Sequence, residues 1–144
     1  MSIDPRIYDG LAGFRYALRQ FMAYSEALTA DAGVTAQQYH ALLIIRTYPP
    51  EGIMIKELAD QLLIQHHGAV QLVDRLANAG LVQRQRSPND GRSVLIVITE
   101  TGEGLLEDLA THHIQELLRH EPLLAESLRR LRQLDRQKKI VRTG

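Results

Sequence analysis

Apolar residues Ile7, Leu11, Phe14, Leu18, Phe21 and Leu28 recur in alternating steps of four and three, with Ser25 at the missing seam position. That spacing predicts a helix of several turns with a narrow apolar stripe, closed by Gly33. In "VTAQQYHALLIIRTYPPEG" Thr35 is placed to cap a second helix, which the Pro49-Pro50 pair cannot continue. "IKELADQLL" predicts a short third helix with Leu58, Ala59 and Leu62 inward. "IQHHGAVQLVDRLANAG" predicts a fourth, with Ala69, Leu72, Val73 and Leu76 on one face. Gly80 then sits where a helix end takes a positive φ.

The period changes after Gly80. Leu81–Arg86 and Val94–Thr99 are rich in apolar and β-branched residues, and "SPNDGRS" lies between them. That is a hairpin signal. From Glu100 the helical period returns: Glu100 and Glu103 suit the positive end of a helix dipole, and Leu105, Leu106, Leu109 and Leu117 form the inner face. Pro122 is expected to break or restart this helix, leaving Leu124, Leu128, Leu131 and Leu134 on a last basic, amphipathic one. The expected fold is therefore mainly α (α+β). Third helix, turn, fourth helix and hairpin make a winged helix-turn-helix with a two-stranded wing.

With its apolar face buried, the fourth helix turns His67, Gln71, Asp74, Arg75 and Asn78 outward at 100° per residue. Gln65 and His66 join them at its start. Such donor- and acceptor-rich side chains reach base edges in a major groove, and the N-terminal part of a recognition helix makes those contacts. Gln65, His66, His67, Gln71 and Arg75 are the candidates here. On the hairpin, Arg84 and Arg86 are placed for phosphates, and Arg92 at the tip for the minor groove. Asp90 is expected to hold the Arg92 side chain in place.

Charge first argues against a polyanionic partner, since 17 basic and 17 acidic residues cancel over the 144-residue chain. The distribution reverses that reading. Gln65–Thr99 holds four basic residues against two acidic, Glu100–Glu126 seven acidic against one basic, and Arg129–Arg142 seven basic against one acidic. Local charge is what a polyanion meets. Cysteine is absent, which excludes disulfides, thiol catalysis and thiol redox sensing on this chain. The start "MSIDPRIYDG" lacks a signal-peptide pattern and no apolar run is long enough to span a membrane, so a cytoplasmic protein is expected.

From Thr35 to Gly104 the sequence resembles the MarR family of bacterial transcriptional regulators. The resemblance rests on "IKELADQLLIQHHGAVQLVDRLANAGLVQR" and "SPNDGRSVLIVITETG": a helix-turn-helix, a glycine-ended recognition helix, an Asp-x-Arg wing and a Thr-x-x-Gly helix start. Two positions depart from the family pattern. Gly91 stands where a second wing Arg is usual, and "QHHGAV" replaces a Ser-rich start of the recognition helix, so base preference is not inherited. The resemblance implies a homodimer on a pseudo-palindromic operator, usually a repressor released by a small molecule. It organises the chain as an N-terminal dimerisation helix (1–34), the winged helix-turn-helix (35–100) and C-terminal dimerisation helices (101–144). Apolar stripes on the flanking helices independently call for a partner.

The resemblance also implies an aromatic or anionic effector, for which Arg15, Arg19, Tyr24, His40 and His112 could supply charge or hydrogen bonds. His112, Glu116 and His120 lie at successive i, i+4 spacing, with His113 adjacent. His40 and His113 resemble positions used by zinc-responsive relatives, though the spacing lacks the closed ligand set of a structural zinc site. His66 and His67 could gain charge near pH 6.5. No nucleophile elbow, phosphate loop or complete metal triad points to an enzyme, and no cofactor is called for. A winged helix serving a protein partner is the rival reading. Wing arginines and a 5% aromatic content argue against it, because interaction faces prefer apolar or aromatic anchors.

Overall fold

In the computed structural model, which describes residues 2–138, the chain runs α1 (Pro5–Asp31), α2 (Ala36–Arg46), β1 (Ile53–Met54), α3 (Ile55–Leu62), α4 (His66–Asn78), β2 (Val82–Arg86), β3 (Val94–Ile98) and α5 (Glu100–Lys138). The described residues pack as two units: Leu28–Thr111, and residues 2–27 together with 112–138. The first is a winged helix-turn-helix, as the periodicity predicts.

In the winged unit, Thr35 starts α2 with a reciprocal cap. The Gln38 amide donates to Thr35 Oγ1 at 3.0 Å, and the Thr35 amide donates to Gln38 Oε1 at 2.8 Å. A capping box of this kind satisfies two N–H groups that a helix start leaves unpaired. Leu42, Leu58, Val73, Leu76, Ile96 and Leu109 are fully buried and carry the core from α2 through α5. The sheet has the order β1-β3-β2, with β2 and β3 paired from Val82↔Ile98 to Arg86↔Val94. β1 adds a strand beyond the expected hairpin. Its two residues pair with Ile96 and Leu95, and two residues are too few for an alternating pattern to register.

The sheet hands over to α5 at a tight junction. The Thr99 amide donates to the Leu81 carbonyl at 3.0 Å, and its hydroxyl donates to the Gly80 carbonyl at 2.6 Å. The same Oγ accepts the Gly102 amide at 3.1 Å, capping the helix. Gly102 lies so near that a Cβ there would stand 2.1 Å from the Leu81 oxygen. Only glycine permits this approach.

In the other unit α1 and α5 lie antiparallel. Ser25 Oγ meets His113 Nε2 at 2.7 Å. Further back on α1, a Cβ on Gly13 would lie 3.6 Å from Ser127 Oγ, and one on Gly10 only 2.8 Å from the Leu131 side chain. This packing overrides the expected break at Pro122, and α5 is one helix of 39 residues. A proline inside a helix removes one hydrogen bond and costs about 3 kcal/mol. Packing against α1 on both sides of it, by His113 before and by Ser127 and Leu131 after, holds the two halves in one helix. Residues 139–144, which end the basic C-terminal run, lie outside the described residues. No helix among the described residues is long and apolar enough to cross a membrane.

Gly102→Ala forces the Leu81 carbonyl away from the helix start. Stability should fall by about 1–3 kcal/mol, in the range of overpacked cores, measured as a lower urea midpoint at unchanged slope.

Candidate nucleic-acid interface

The start of α4 is set by the turn before it. Leu63 ends α3 in the left-handed region, φ 57 and ψ 40, while the Ile64 amide donates to the Ala59 carbonyl at 3.1 Å. An L-residue in that region costs roughly 1–2 kcal/mol. Leu63 is 92% exposed, so its side chain recovers almost nothing by packing. The chain then extends through Gln65 and enters α4 at His66. Ala69, Leu72, Val73 and Leu76 are buried, as their spacing predicts. Gln65, His66, His67, Gln71, Asp74, Arg75 and Asn78 are all exposed, so all five candidate base-contacting side chains are open to solvent. A Cβ on Gly68 would meet only Ile64 Cδ1, at 3.8 Å. Packing inside the chain does not require a glycine there.

The wing is held by its own polar groups. Asp90 Oδ1 accepts the amides of Arg92 and Ser93 at 2.9 and 3.0 Å, and Oδ2 accepts the Ser93 hydroxyl at 3.0 Å. These bonds hold the Asp90 carboxyl below its ordinary pKa, the Ser93 amide contributing most and the Arg92 amide next. The expectation for Asp90 is thereby corrected: it fixes the backbone of the tip, not the Arg92 guanidinium. A carboxylate at that position meets two convergent amides of the turn before it meets a long, mobile side chain.

The wing arginines divide into two kinds. Arg84 Nη2 pairs with Asp74 Oδ1 of α4 at 2.5 Å, and Arg86 Nη1 donates to the Gly91 carbonyl at 3.1 Å. Both are therefore engaged within the chain. Arg92 and Arg75 are exposed, and no side-chain partner among the described residues holds either. Sequence reasoning missed the Asp74–Arg84 pair, which ties the recognition helix to the wing. Asp74 falls on the exposed face by period, but its partner depends on where the hairpin lies.

Arg15 and Arg19 line one groove of about 450 Å³ on α1, with Leu18, Met22, Ala23 and Glu26. Tyr24 Oη donates to the His112 carbonyl at 3.5 Å. His40 lies on α2, in the winged unit. Of the histidine candidates, His120 Nε2 lies 3.0 Å from Glu116 Oε1, whose other oxygen faces Arg119 at 3.4 Å. His113 is buried against Ser25 and edge-on to Phe21 and Tyr24. Among the described residues no three His, Asp or Glu side chains gather closely enough to hold a metal ion.

A model of the MarR family matches residues 32–93. The organic hydroperoxide resistance transcriptional regulator of Bacillus subtilis is 33% identical over 89 residues, 62% of this chain and 59% of that protein. The chain thus spans under two thirds of that relative's length. The HTH-type transcriptional regulator FarR of Neisseria gonorrhoeae is 30% identical over 119 residues, 78% of this chain and 80% of that protein. Among solved structures, AbsC, a MarR family transcriptional regulator from Streptomyces coelicolor, superimposes with a TM-score of 0.69 at 25% identity, covering 88% of this chain and 86% of that one.

Folding lowers the Asp90 pKa, so the wing-tip bonds are in place at neutral pH and through the ordinary carboxylate range, and are lost as pH falls through the lowered value. Asp90→Ala should speed hydrogen exchange at the Arg92 and Ser93 amides at pH 7, with the melting temperature nearly unmoved. The unaltered chain should keep protection at these amides at pH 5.

Proposed function

The chain belongs to the MarR family, and on that premise we propose that it is a homodimeric repressor that binds operator DNA in the cytoplasm and is released by a small molecule. The observation that carries this reading is the exposure of Gln65, His66, His67, Gln71 and Arg75 along α4 and of Arg92 at the tip of the wing that follows it. Side chains of α4 enter the major groove and read base edges. Arg92 reaches the adjacent minor groove, where narrow A·T-rich segments concentrate negative potential. Arg84 and Arg86 flank the phosphates. Gly68, which costs roughly 1 kcal/mol of helix propensity against alanine, leaves room for the sugar-phosphate backbone to approach α4.

Two protomers are needed to present two such surfaces, about 34 Å apart along one face of the duplex. Tyr8, Tyr16 and Met22 on α1, and Ile114 and Leu118 on α5, are each more than half exposed. Apolar area of this extent is normally covered by a partner, and a second copy is the partner proposed. An aromatic or anionic effector would draw on Arg15, Arg19, Tyr24 and His112 of the unit that pairs α1 with α5. The role is regulatory, not enzymatic.

Titration onto DNA from the protein's own upstream region, beside a scrambled duplex and at two salt concentrations, tests the proposal. Affinity should favour the native sequence and fall by on the order of 10³ between about 50 and 200 mM salt. Arg92→Ala should weaken binding about tenfold while sedimentation still reports a dimer. Weak binding to both duplexes, with no preferred sequence recovered from random DNA, would favour a protein-docking winged helix instead.

A further inference from the structure

The winged unit has a concave surface that uses none of the residues assigned to DNA. Ile45, Tyr48, Pro49, Pro50, Val97 and Ile98 line a cavity of about 350 Å³, edged by Arg46 and Glu103. Arg46 Nε donates to Glu103 Oε1 at 2.6 Å. Their side chains are 60% and 43% exposed, and surface pairs of this kind add little to stability. Arg46 commits only Nε, so its two Nη nitrogens can take a second carboxylate. Glu103 likewise has Oε2 available for a cation.

The paired charges select the ligand. A simple anion at Arg46 is repelled by Glu103 a few ångströms away, and a simple cation at Glu103 is repelled by Arg46. A molecule carrying both charges side by side satisfies both. The lining is mixed: beside the charged pair, Tyr48, Val97 and Ile98 offer apolar surface for a hydrocarbon group, and the volume suits one side chain rather than a nucleotide-sized cofactor. We propose that this cavity binds a free α-amino acid with a large apolar side chain, its carboxylate on Arg46, its ammonium on Glu103 and its side chain against Ile45, Val97 and Ile98.

Such a ligand would act on the wing. Val97 and Ile98 belong to β3, opposite Gln83 and Val82 of β2. The Gln85 side chain of β2 donates to the Glu51 carbonyl at 3.2 Å, tying the Pro49–Gly52 loop to the strand that carries Arg84 and Arg86. Only this regulatory consequence rests on the operator-binding proposal; occupancy of the cavity does not.

Calorimetric titration of the full chain without DNA tests the site, using L-phenylalanine, L-leucine, 3-phenylpropionate and 2-phenylethylamine. At least one of the two amino acids should bind saturably, and both single-charge analogues of phenylalanine should be about tenfold weaker or worse than it. Arg46→Gln and Glu103→Gln should each weaken amino-acid binding about tenfold with melting within about 2 °C of the unaltered chain. Silence from both amino acids up to about 10 mM, equal binding of either single-charge analogue, or full binding by both variants would overturn the site; the 10 mM ceiling corresponds to the weakest interactions of interest. Adding the same amino acid to a protein–operator complex tests the coupling, and unchanged operator affinity at saturation would overturn that part alone. If no duplex is bound, the operator proposal fails while the calorimetry still decides the cavity.

Discussion

The close approach of Gly102 to the Leu81 carbonyl is the constraint on which the winged unit depends. At this point the end of α4, the first residue before β2, the end of β3 and the start of α5 meet within a few residues. Thr99 bonds to Gly80, Leu81 and Gly102 at once. Gly80 follows α4 with φ 76, and its carbonyl is held by the Thr99 hydroxyl instead of being left to solvent. The angle at which the wing leaves the recognition helix is therefore fixed by backbone contact. A bulky side chain at residue 102 would change that angle, and with it the spacing between the α4 surface and the Arg92 tip.

Charge is arranged around this frame with economy. The chain is neutral overall, yet Asp74 neutralises Arg84 at the base of the wing and Asp90 is occupied by backbone amides. What remains outward at the proposed DNA surface is Arg75, Arg86, Arg92 and uncompensated polar side chains of α4. On a phosphate backbone Arg84 would exchange one anionic partner for another, so its pairing with Asp74 pre-positions it. Departures from local preference fall at the turn into α4 and in its first turn. Leu63 takes a left-handed backbone and Gly68 places a poor helix former in the first turn of α4, and neither is compensated by packing inside the chain. Local conflicts of this sort are expected where a surface serves a partner.

Much of this was legible in the sequence, because burial imposes a period. Ala69, Leu72, Val73 and Leu76 specify the inner face of α4, and by subtraction the outer face on which the site is proposed. Thr35, Gly80 and the turn residues of the wing mark boundaries through backbone chemistry alone. Legibility ended where partners are remote. β1 exists because Ile53 and Met54 pair with residues about forty positions later, not because of any pattern of their own. Pro122 signalled a break by propensity, and contacts to α1 overruled it. The Asp90 acceptor was recognisable, but which of its neighbours would reach it was decided by the geometry of the turn. Arg46, Glu103 and the cavity beside them come from a helix end, a proline loop, a strand and another helix, so no contiguous motif announces them.

In the proposed complex DNA is held by the outer face of α4 together with the wing tip. Hydrogen exchange on the chain with and without a duplex selected from random DNA tests it most directly. Slowed exchange concentrated in residues 65–75 and 84–93, with α1 unchanged, is the predicted result. Protection confined to other segments, with both of these left at their unbound rates, would contradict it.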